Sequence, residues 1–486
     1  MKTTAISILI LASMLLTACG AAETKTSDSA ASGTEKTTEP PQTEAPEEPG
    51  PDLPEMDLGG ETITVLFREA FRDEFDADTT TGEKLNDAVY EKNEALETQF
   101  NCVLDYIPNP STDWGGGYQA VVSKSVLAGD EAYDIISGPS FHIPTLAYDG
   151  YLYNLNDLDY LDLDRIWWSQ ELEQTSSFGG NVYLVCGDIS LGLIRYLHCT
   201  YFNKRIAQDL DLPDLYDLVL NGKWTVDAIE TLSKGLYSDL NNNGASDVEE
   251  DAYGYLAGTY LLWRAYYDAV GADILVLDKD GKAMIAEDVT RAQDLADLLT
   301  RWVGTGSTND IISNSSNDEN YAAFSSGRAL FTMGRFVDCE TAYRDMKDDF
   351  GILPIPKWDE EQEEYRVTIC GSESTFGVPV NSSKTDYIGA VLEAMAYESY
   401  KTVTPVYYES TLKVKYMRDD KVSKIIDIIH DGARFSPTLQ LSKLTGMAPD
   451  KFITNAVQQE ISFSTIWAES SSALAEKLEQ LAEAMG

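Results

Sequence analysis

Apolar and polar positions fall into a regular pattern only from residue 61 onward. Glu61-Thr-Ile-Thr-Val-Leu-Phe67 is rich in β-branched and aromatic residues and follows Gly59-Gly60, which predicts a first buried strand. From Gly82 to Phe100, the residues Leu85, Val89, Ala95, Leu96 and Phe100 recur at helical spacing. A second strand is expected over Cys102 to Ile107, a helix from Tyr118 to Ala128, and a third strand over Tyr133 to Ser137. Strands that alternate with helices of this length predict βαβ units, an α/β fold and a mainly parallel sheet.

In such sheets ligands bind beyond the carboxyl ends of the strands, where helix N-termini present free N–H groups. That places Arg68, Glu69 and Phe71 after the first strand and Ser137, Ser140, Phe141 and His142 after the third at one rim. Further along, beyond the Leu152 to Leu163 segment, Asn181 to Val185 and the longer Ile194 to Phe202 read as strands. Asn203-Lys204 then opens a helix carrying Ile206 and Leu210. Thr225 is the expected N-cap of another helix, with Ala228, Ile229 and Leu232 on its buried side.

The front of the chain has a different character. Residues 1–18 combine Lys2, an apolar run from Ile6 to Leu16 and the small residues Thr17-Ala18 before Cys19, as a secretory signal does. The run is too short for a permanent transmembrane helix. Leu16-Thr-Ala-Cys19 resembles the bacterial lipobox, which implies lipidation of Cys19; an ordinary secretory signal is the alternative. Residues 19–58 are dominated by Ala, Ser, Thr, Glu and Pro, so they lack the means to form a core and are expected to act as a disordered acidic tether. No later stretch has the length and apolarity of a membrane span.

About 430 residues remain, enough for two or three compact domains. The formal net charge of −45 argues against nucleic acid or anionic lipid as a partner, because phosphates would be repelled. Six cysteines do not make a disulfide scaffold, and with Cys19 lipidated at least one of Cys102, Cys186, Cys199, Cys339 and Cys370 is unpaired. The three histidines show no zinc spacing.

Tyr201-Phe-Asn-Lys204, a helix, and then Trp224-Thr-Val-Asp227 form one recognisable block. A second is Ala323-Phe-Ser-Ser-Gly-Arg-Ala-Leu-Phe-Thr-Met-Gly334, and Asp349 to Pro356 and Thr375 to Pro379 follow in order. Together they resemble family 1 extracellular solute-binding proteins, the group that includes many sugar binders. The resemblance covers most of residues 60 to 400 and is weakest over 399–486, where Tyr407-Tyr-Glu409 and Lys413 to Arg418 stand in place of the family's usual helices. It implies a two-lobe α/β fold of the periplasmic-binding-protein type, with a hinge and a ligand cleft between the lobes. One lobe would gather residues 60–195 and 333–398, the other 196–332 and 399–486. The chain would cross near Leu193 to Thr200, near Ala329 to Gly334 and near residue 400. The implied protein is a monomer outside the cell membrane, held by its lipid and handing a polar solute, a sugar or oligosaccharide, to the permease of an ABC transporter.

Sugars present apolar C–H faces ringed by hydroxyls, so their sites pair aromatic platforms with polar side chains. With the two-lobe arrangement, the expected ligand-binding residues are Arg68, Ser137, Phe141, Tyr196, Trp263, Arg264, Arg335, Phe336 and Glu373. Arg335, directly after Met333-Gly334, is the foremost of them, with a structural ion pair as its alternative role; Trp263 has core packing as its alternative.

Asp239 to Glu250 fits a twelve-residue calcium loop. Asp239, Asn241, Asn243, Asp247 and Glu250 supply side-chain oxygens, Ala245 a backbone carbonyl, and Gly244 the sharp turn. A structural Ca²⁺ is therefore expected, against a plain Asn-Gly-rich turn; no other cofactor is required. Two other functions compete with solute binding. Abundant carboxylates permit a secreted glycoside hydrolase, but no nucleophile elbow, phosphate loop or placed histidine base is present. A surface adhesion lipoprotein would be favoured by repeats, and the sequence has none.

Overall fold

The computed structural model describes residues 50–111, 116–178, 180–279, 281–304, 307–314, 316–408 and 420–485. The signal segment, Cys19, most of the tether and the stretch from Glu409 to Arg418 lie outside the described residues.

The alternating run becomes strand β1 (Glu61–Arg68). Ile63, Val65 and Phe67 are buried in one apolar cluster and Leu66 in another, so the period of two puts a packed layer on each face of the sheet. Helix Lys84–Phe100 follows, capped by the Glu83 side chain, and ends at Asn101, whose left-handed φ of 48° turns the chain into β2 (Cys102–Asn109). β3 (Ile135–Pro139) comes after helix Gly117–Ala128.

The second sheet is assembled from β4 (His198–Asn203), β5 (Tyr253–Gly258), β6 (Ile311–Asn314), β7 (Ala329–Arg335) and β8 (Phe350–Leu353). β9 (Ser374–Gly377) returns to the first. The strand orders are β9-β3-β1-β2 and β6-β5-β7-β4-β8. β1 is parallel to β2 and β3, and β7 is parallel to β5, but β9, β4 and β8 each run antiparallel to their neighbours. Both sheets are thus mixed, where the helical spacing predicted mainly parallel ones.

Three local expectations are corrected. Residues 50–58 are not free tether: Leu53, Met56 and Leu58 pack against the first lobe's core, and the Leu58 N–H donates to the Phe100 carbonyl at 2.8 Å. Of the strand expected over Asn181 to Val185, Asn181–Val182 forms a two-residue pairing with Ser177–Phe178, and Val185 bridges Phe376. The segment from Ile194 onward opens with a helical turn, Gly192–Arg195, and extends only from His198. Gly192 sits so close to Glu373 that a Cβ there would lie 2.9 Å from the Glu373 Cα, a contact between residues far apart in sequence.

The third passage between lobes near residue 400 and the one near Ala329 to Gly334 are also displaced. β7 is a central strand, buried on both faces between β4 and β5, and β8 pairs with β4. Residues 333–353 therefore lie with the second sheet, and the chain returns to the first between Leu353 and Ser374. After helix Thr385–Glu398, the π turn Ser399–Val403 and Thr404–Tyr407 pack on helix Lys84–Phe100, so they stay with the first sheet. Helix Asp420–Asp431 then packs on β8, and Ala448–Gln459 and Phe463–Met485 pack with Thr290–Val303.

Two passages run side by side. Leu197 bridges Ile369, the Cys370 N–H donates to the Tyr196 carbonyl at 3.1 Å, and His198 Nδ1 lies 2.8 Å from the Thr368 carbonyl. They form a short ladder between the two sheets. All five cysteines among the described residues are buried, and none of them is joined to another in a disulfide.

Candidate functional site

The carboxyl ends of β1, β3 and β7 bring four cations and three aromatic rings together. Arg68, the last residue of β1, places its guanidinium carbon 3.6 Å from the Phe71 ring centroid and donates to the Ser372 carbonyl. Phe71 lies 5.3 Å from Tyr196, on the first passage, and the guanidinium carbon of Arg335, the last residue of β7, lies 5.3 Å from the Tyr196 ring centroid. Phe141, just after β3, is approached by Arg264 at 4.5 Å and Lys443 at 5.1 Å. Arg264 and Lys443 belong to the second lobe and Phe141 to the first, so these contacts cross the cleft.

Each of two arginines is held by one acid. Arg264 pairs with Asp450 at 2.8 Å, both side chains nearly buried, and Ser442 donates to the same carboxylate. Arg335 pairs with Asp338 at 3.2 Å, and Asp338 also accepts the Arg335 backbone N–H at 2.8 Å, which fixes the turn after β7. The Nε atoms of Arg264 and Arg335 remain buried without a hydrogen-bond partner, as does His142 Nε2.

The electrostatics follow from burial among these cations. The His142 pKa falls to about 4 because burial and the nearby Lys443, Arg68 and Arg264 all disfavour the imidazolium. His198 is fully buried and falls to about 4 for the same first reason, the Thr368 carbonyl opposing and Arg335 and Arg264 adding to it. Glu373 is raised by burial, with Ser140 and Arg68 working against that shift.

The structure therefore gathers Arg68, Phe141, Tyr196, Arg264, Arg335 and Glu373 in one neighbourhood. It places three expected residues elsewhere. Ser137 is fully buried in mid-strand opposite Phe376, because β3 runs on to Pro139 before the rim begins. Trp263 packs inside the second lobe, edge-on to Tyr267 at 6.2 Å and beside Leu299, Val303 and Ile453. Phe336 is core, 1% exposed, and its N–H donates to the Leu197 carbonyl at 3.1 Å. Glu69, also expected at the rim, is exposed and pairs with Arg72. Sequence patterns had not pointed to Lys443, His198, Asp338 or Asp450; only tertiary pairing reveals them.

Two cavities flank this cluster. One of about 420 Å³ has walls from both lobes, with Arg72, Asp73 and Glu83 on one side, Glu340 on the other and Arg195 between. Arg195 binds Asp73 at 2.7 Å and reaches Glu340 at 3.5 Å, so a single guanidinium spans the cleft from the first passage. The other, about 680 Å³, touches the two passages at Ile194 and Ile369, reaches Thr404 of the first lobe and is walled by Trp167, Trp168, Tyr400 and Tyr408. Asp188 in this cavity is pushed up to about 6 by burial, against the Thr404 hydroxyl and His430.

In the calcium-like loop, Asp239 Oδ2 accepts the Gly244 N–H at 2.8 Å and Asn243 Oδ1 accepts the Ala245 N–H at 2.7 Å. Asn241 donates to Glu250 at 2.7 Å, so the loop's last residue meets its third. Among the described residues no group of three or more His, Cys, Asp or Glu side chains is clustered to hold a metal. This loop's donor set, with two Asn and a backbone carbonyl, is of another kind.

The pattern of the family described as bacterial extracellular solute-binding protein matches residues 76–399. Among solved structures, the fold is similar to a cyclo/maltodextrin-binding protein complexed with maltotetraose, at 13% identity and a TM-score of 0.58 over 86% of this chain and 97% of that one. It is similar to the maltose/maltodextrin-binding domain MalE of Bdellovibrio bacteriovorus bound to maltotriose, at 16% identity, a TM-score of 0.53, and 87% and 98% coverage. A third is an ABC transporter solute-binding protein of Agrobacterium radiobacter K84 in complex with ribitol, at 12% identity, a TM-score of 0.54, and 86% and 99% coverage. No curated protein matches the chain in sequence. Those likenesses bear on the fold, which is the two-lobe periplasmic-binding-protein type, and among the described residues no helix is long and apolar enough to cross a membrane. With the family pattern spanning both sheets and the passages between them, the chain belongs to the bacterial extracellular solute-binding proteins.

Proposed function

We propose that this protein captures a small saccharide between its lobes and delivers it, chemically unchanged, to an ABC permease. The observation that carries this reading is the cross-lobe cluster: Phe141 of one lobe faces Arg264 and Lys443 of the other, with Tyr196 and Arg335 beside the passage. Aromatic faces suit sugar C–H surfaces and arginine forks suit hydroxyl oxygens. The solved neighbours named above, several with oligosaccharides or a polyol bound, support the same class of cargo.

A thermal-shift panel of sugars and oligosaccharides tests it, since a ligand bound only by the folded state raises the midpoint by mass action. Arg335→Gln should abolish the shift; a full shift in that variant would remove the cluster from the site. A second reading, favoured by its tryptophan and tyrosine walls, places the cargo in the 680 Å³ cavity. Trp168→Ala would then abolish the shift while Arg335→Gln kept it.

The body would be held at the outer face of the membrane by acyl chains on Cys19, with methylene burial at roughly 0.8 kcal/mol each supplying the anchor. Cys19→Ser should release the protein into the medium. The loop Asp239 to Glu250 is proposed to take a structural calcium ion, its turn already shaped by the Asp239 and Asn243 contacts.

A further inference from the structure

One guanidinium divides its attachments unevenly between the lobes. Arg195 ends the turn Gly192–Arg195 on the first passage, and its side chain is 9% exposed. Asp73 holds it at 2.7 Å, Glu74 of the same short helix also acts on its charge, and its guanidinium carbon lies 5.2 Å from the Tyr407 ring centroid. Ser190, just before the turn, donates to Glu74 at 3.1 Å. The helix Arg72–Phe75, which carries Asp73 and Glu74, packs on β1 and on helix Lys84–Phe100, as Thr404–Tyr407 does on the latter. Arg195 is therefore fastened to the first lobe by contacts that do not depend on closure.

Glu340 reaches the same place from the other side. It follows the turn Phe336–Cys339 after β7 and, among the described residues, is the one second-lobe residue in the wall of the 420 Å³ cavity. Its carboxylate lies 3.5 Å from the Arg195 guanidinium and accepts a hydrogen bond from the Tyr407 hydroxyl. Tyr407 is fully buried, and burial together with Glu340 pushes its phenol well up, so it stays a donor. Donors to an ionised acceptor form the stronger class of hydrogen bond, and the Glu340 side chain is only 19% exposed, so water and salt screen this contact little. Opening the cleft separates one carboxylate from both donors at once.

We infer that Glu340 is a latch for the closed form: Arg195 and Tyr407, fixed to the first lobe, grip the acid that the second lobe puts forward. The inference goes beyond saccharide capture and does not rest on it, because the latch joins two parts of the protein and no cargo. A latched protein spends less time open, so a solute finds the form that admits it less often, and the apparent affinity is set in part by this contact.

The test is pulsed electron paramagnetic resonance on the whole mature chain without added solute, with nitroxides on Lys124→Cys in the first lobe and Thr231→Cys in the second, both exposed positions on helices. Cys19→Ser removes one native thiol, and the other five are buried. With the latch intact, the distances should be mainly those of the closed form. Glu340→Gln removes the ion pair and should lower the closed-to-open ratio by at least about tenfold, bringing in a longer distance. Tyr407→Phe leaves both charges in place and should bring in the same longer distance at a smaller fraction, with thermal melting reporting that each variant is folded. Identical distance distributions in the parent and in both folded variants would overturn the latch, and so would a parent already at the longer distance. Neither result bears on the saccharide reading, which the thermal-shift panel tests separately.

Discussion

The guanidinium carbon of Arg264, in the second lobe, sits 4.5 Å from the ring centroid of Phe141, in the first. A cation over a desolvated ring contributes on the order of 1 kcal/mol, and here that contribution exists only when the lobes are together. Phe141→Leu keeps most of the apolar volume and removes the ring face. Ligand affinity should fall about fivefold, as the loss is borne by the closed form alone. Titration calorimetry measures it, and unchanged affinity would show that the contact does not contribute to closure.

The Arg264–Asp450 pair predicts a different outcome for its two members. Asp450→Ala leaves a buried guanidinium with its acid removed and should cost ~3–5 kcal/mol of stability in urea unfolding. Arg264→Met with Asp450→Leu removes both charges and should regain most of that loss. A single-variant cost below about 1 kcal/mol would mean that water reaches the pair.

His142 and His198 are kept neutral, with pKa values near 4 against an ordinary 6.5. A base whose folded pKa is depressed stabilises the fold above its unfolded value and loses that contribution as pH falls toward the folded one. Between pH 6.5 and 4 each imidazole should therefore take away up to ~1.4 kcal/mol per pH unit. Glu74 and Asp268 oppose this: burial raises both to about 7, so their contribution is present at low pH and disappears as pH rises through 7. His198→Asn isolates the imidazole's share: compared with the unaltered protein it should lose less stability as pH falls from 6.5 toward 4 and match it above 6.5, the contribution of the two carboxylates being common to both. An identical slope in the variant would refute the assignment.

For the loop Asp239 to Glu250, millimolar calcium should raise the melting midpoint and a chelator should reverse the rise, because only the folded loop presents the donors together. Glu250→Ala should abolish the response without altering sugar binding. A midpoint indifferent to calcium would identify the segment as a turn that its own Asx hydrogen bonds maintain.

Sequence periodicity locates β1, β2, β3 and the helices between them to within a few residues, because each buries its own apolar stripe. Sheet membership is less legible. Nothing local in Phe350–Leu353 says that it pairs with β4 and not with the first sheet, and β7 looks like a crossing only until its two partners are known. At the site, Arg68, Phe141 and Arg335 follow strand ends and could be named in advance. Lys443 and Asp450 come from the C-terminal region, where no strand end marks them, and their role depends on contacts with residues almost two hundred or more positions away. Trp263 shares the apolar stripe of its helix and packs as core, the alternative role weighed for it, while the Arg264 guanidinium carbon lies 5.3 Å from its ring centroid.

The five interior thiols have a practical meaning for a protein that works outside the cytoplasm. Since none of them is joined to another, maturation needs no oxidase, and reductants in the surroundings find no crosslink to cut. A membrane-impermeant alkylating reagent would meet these sulfurs only when the interior comes apart, so the rate of modification becomes a clock for unfolding, read without any engineered label.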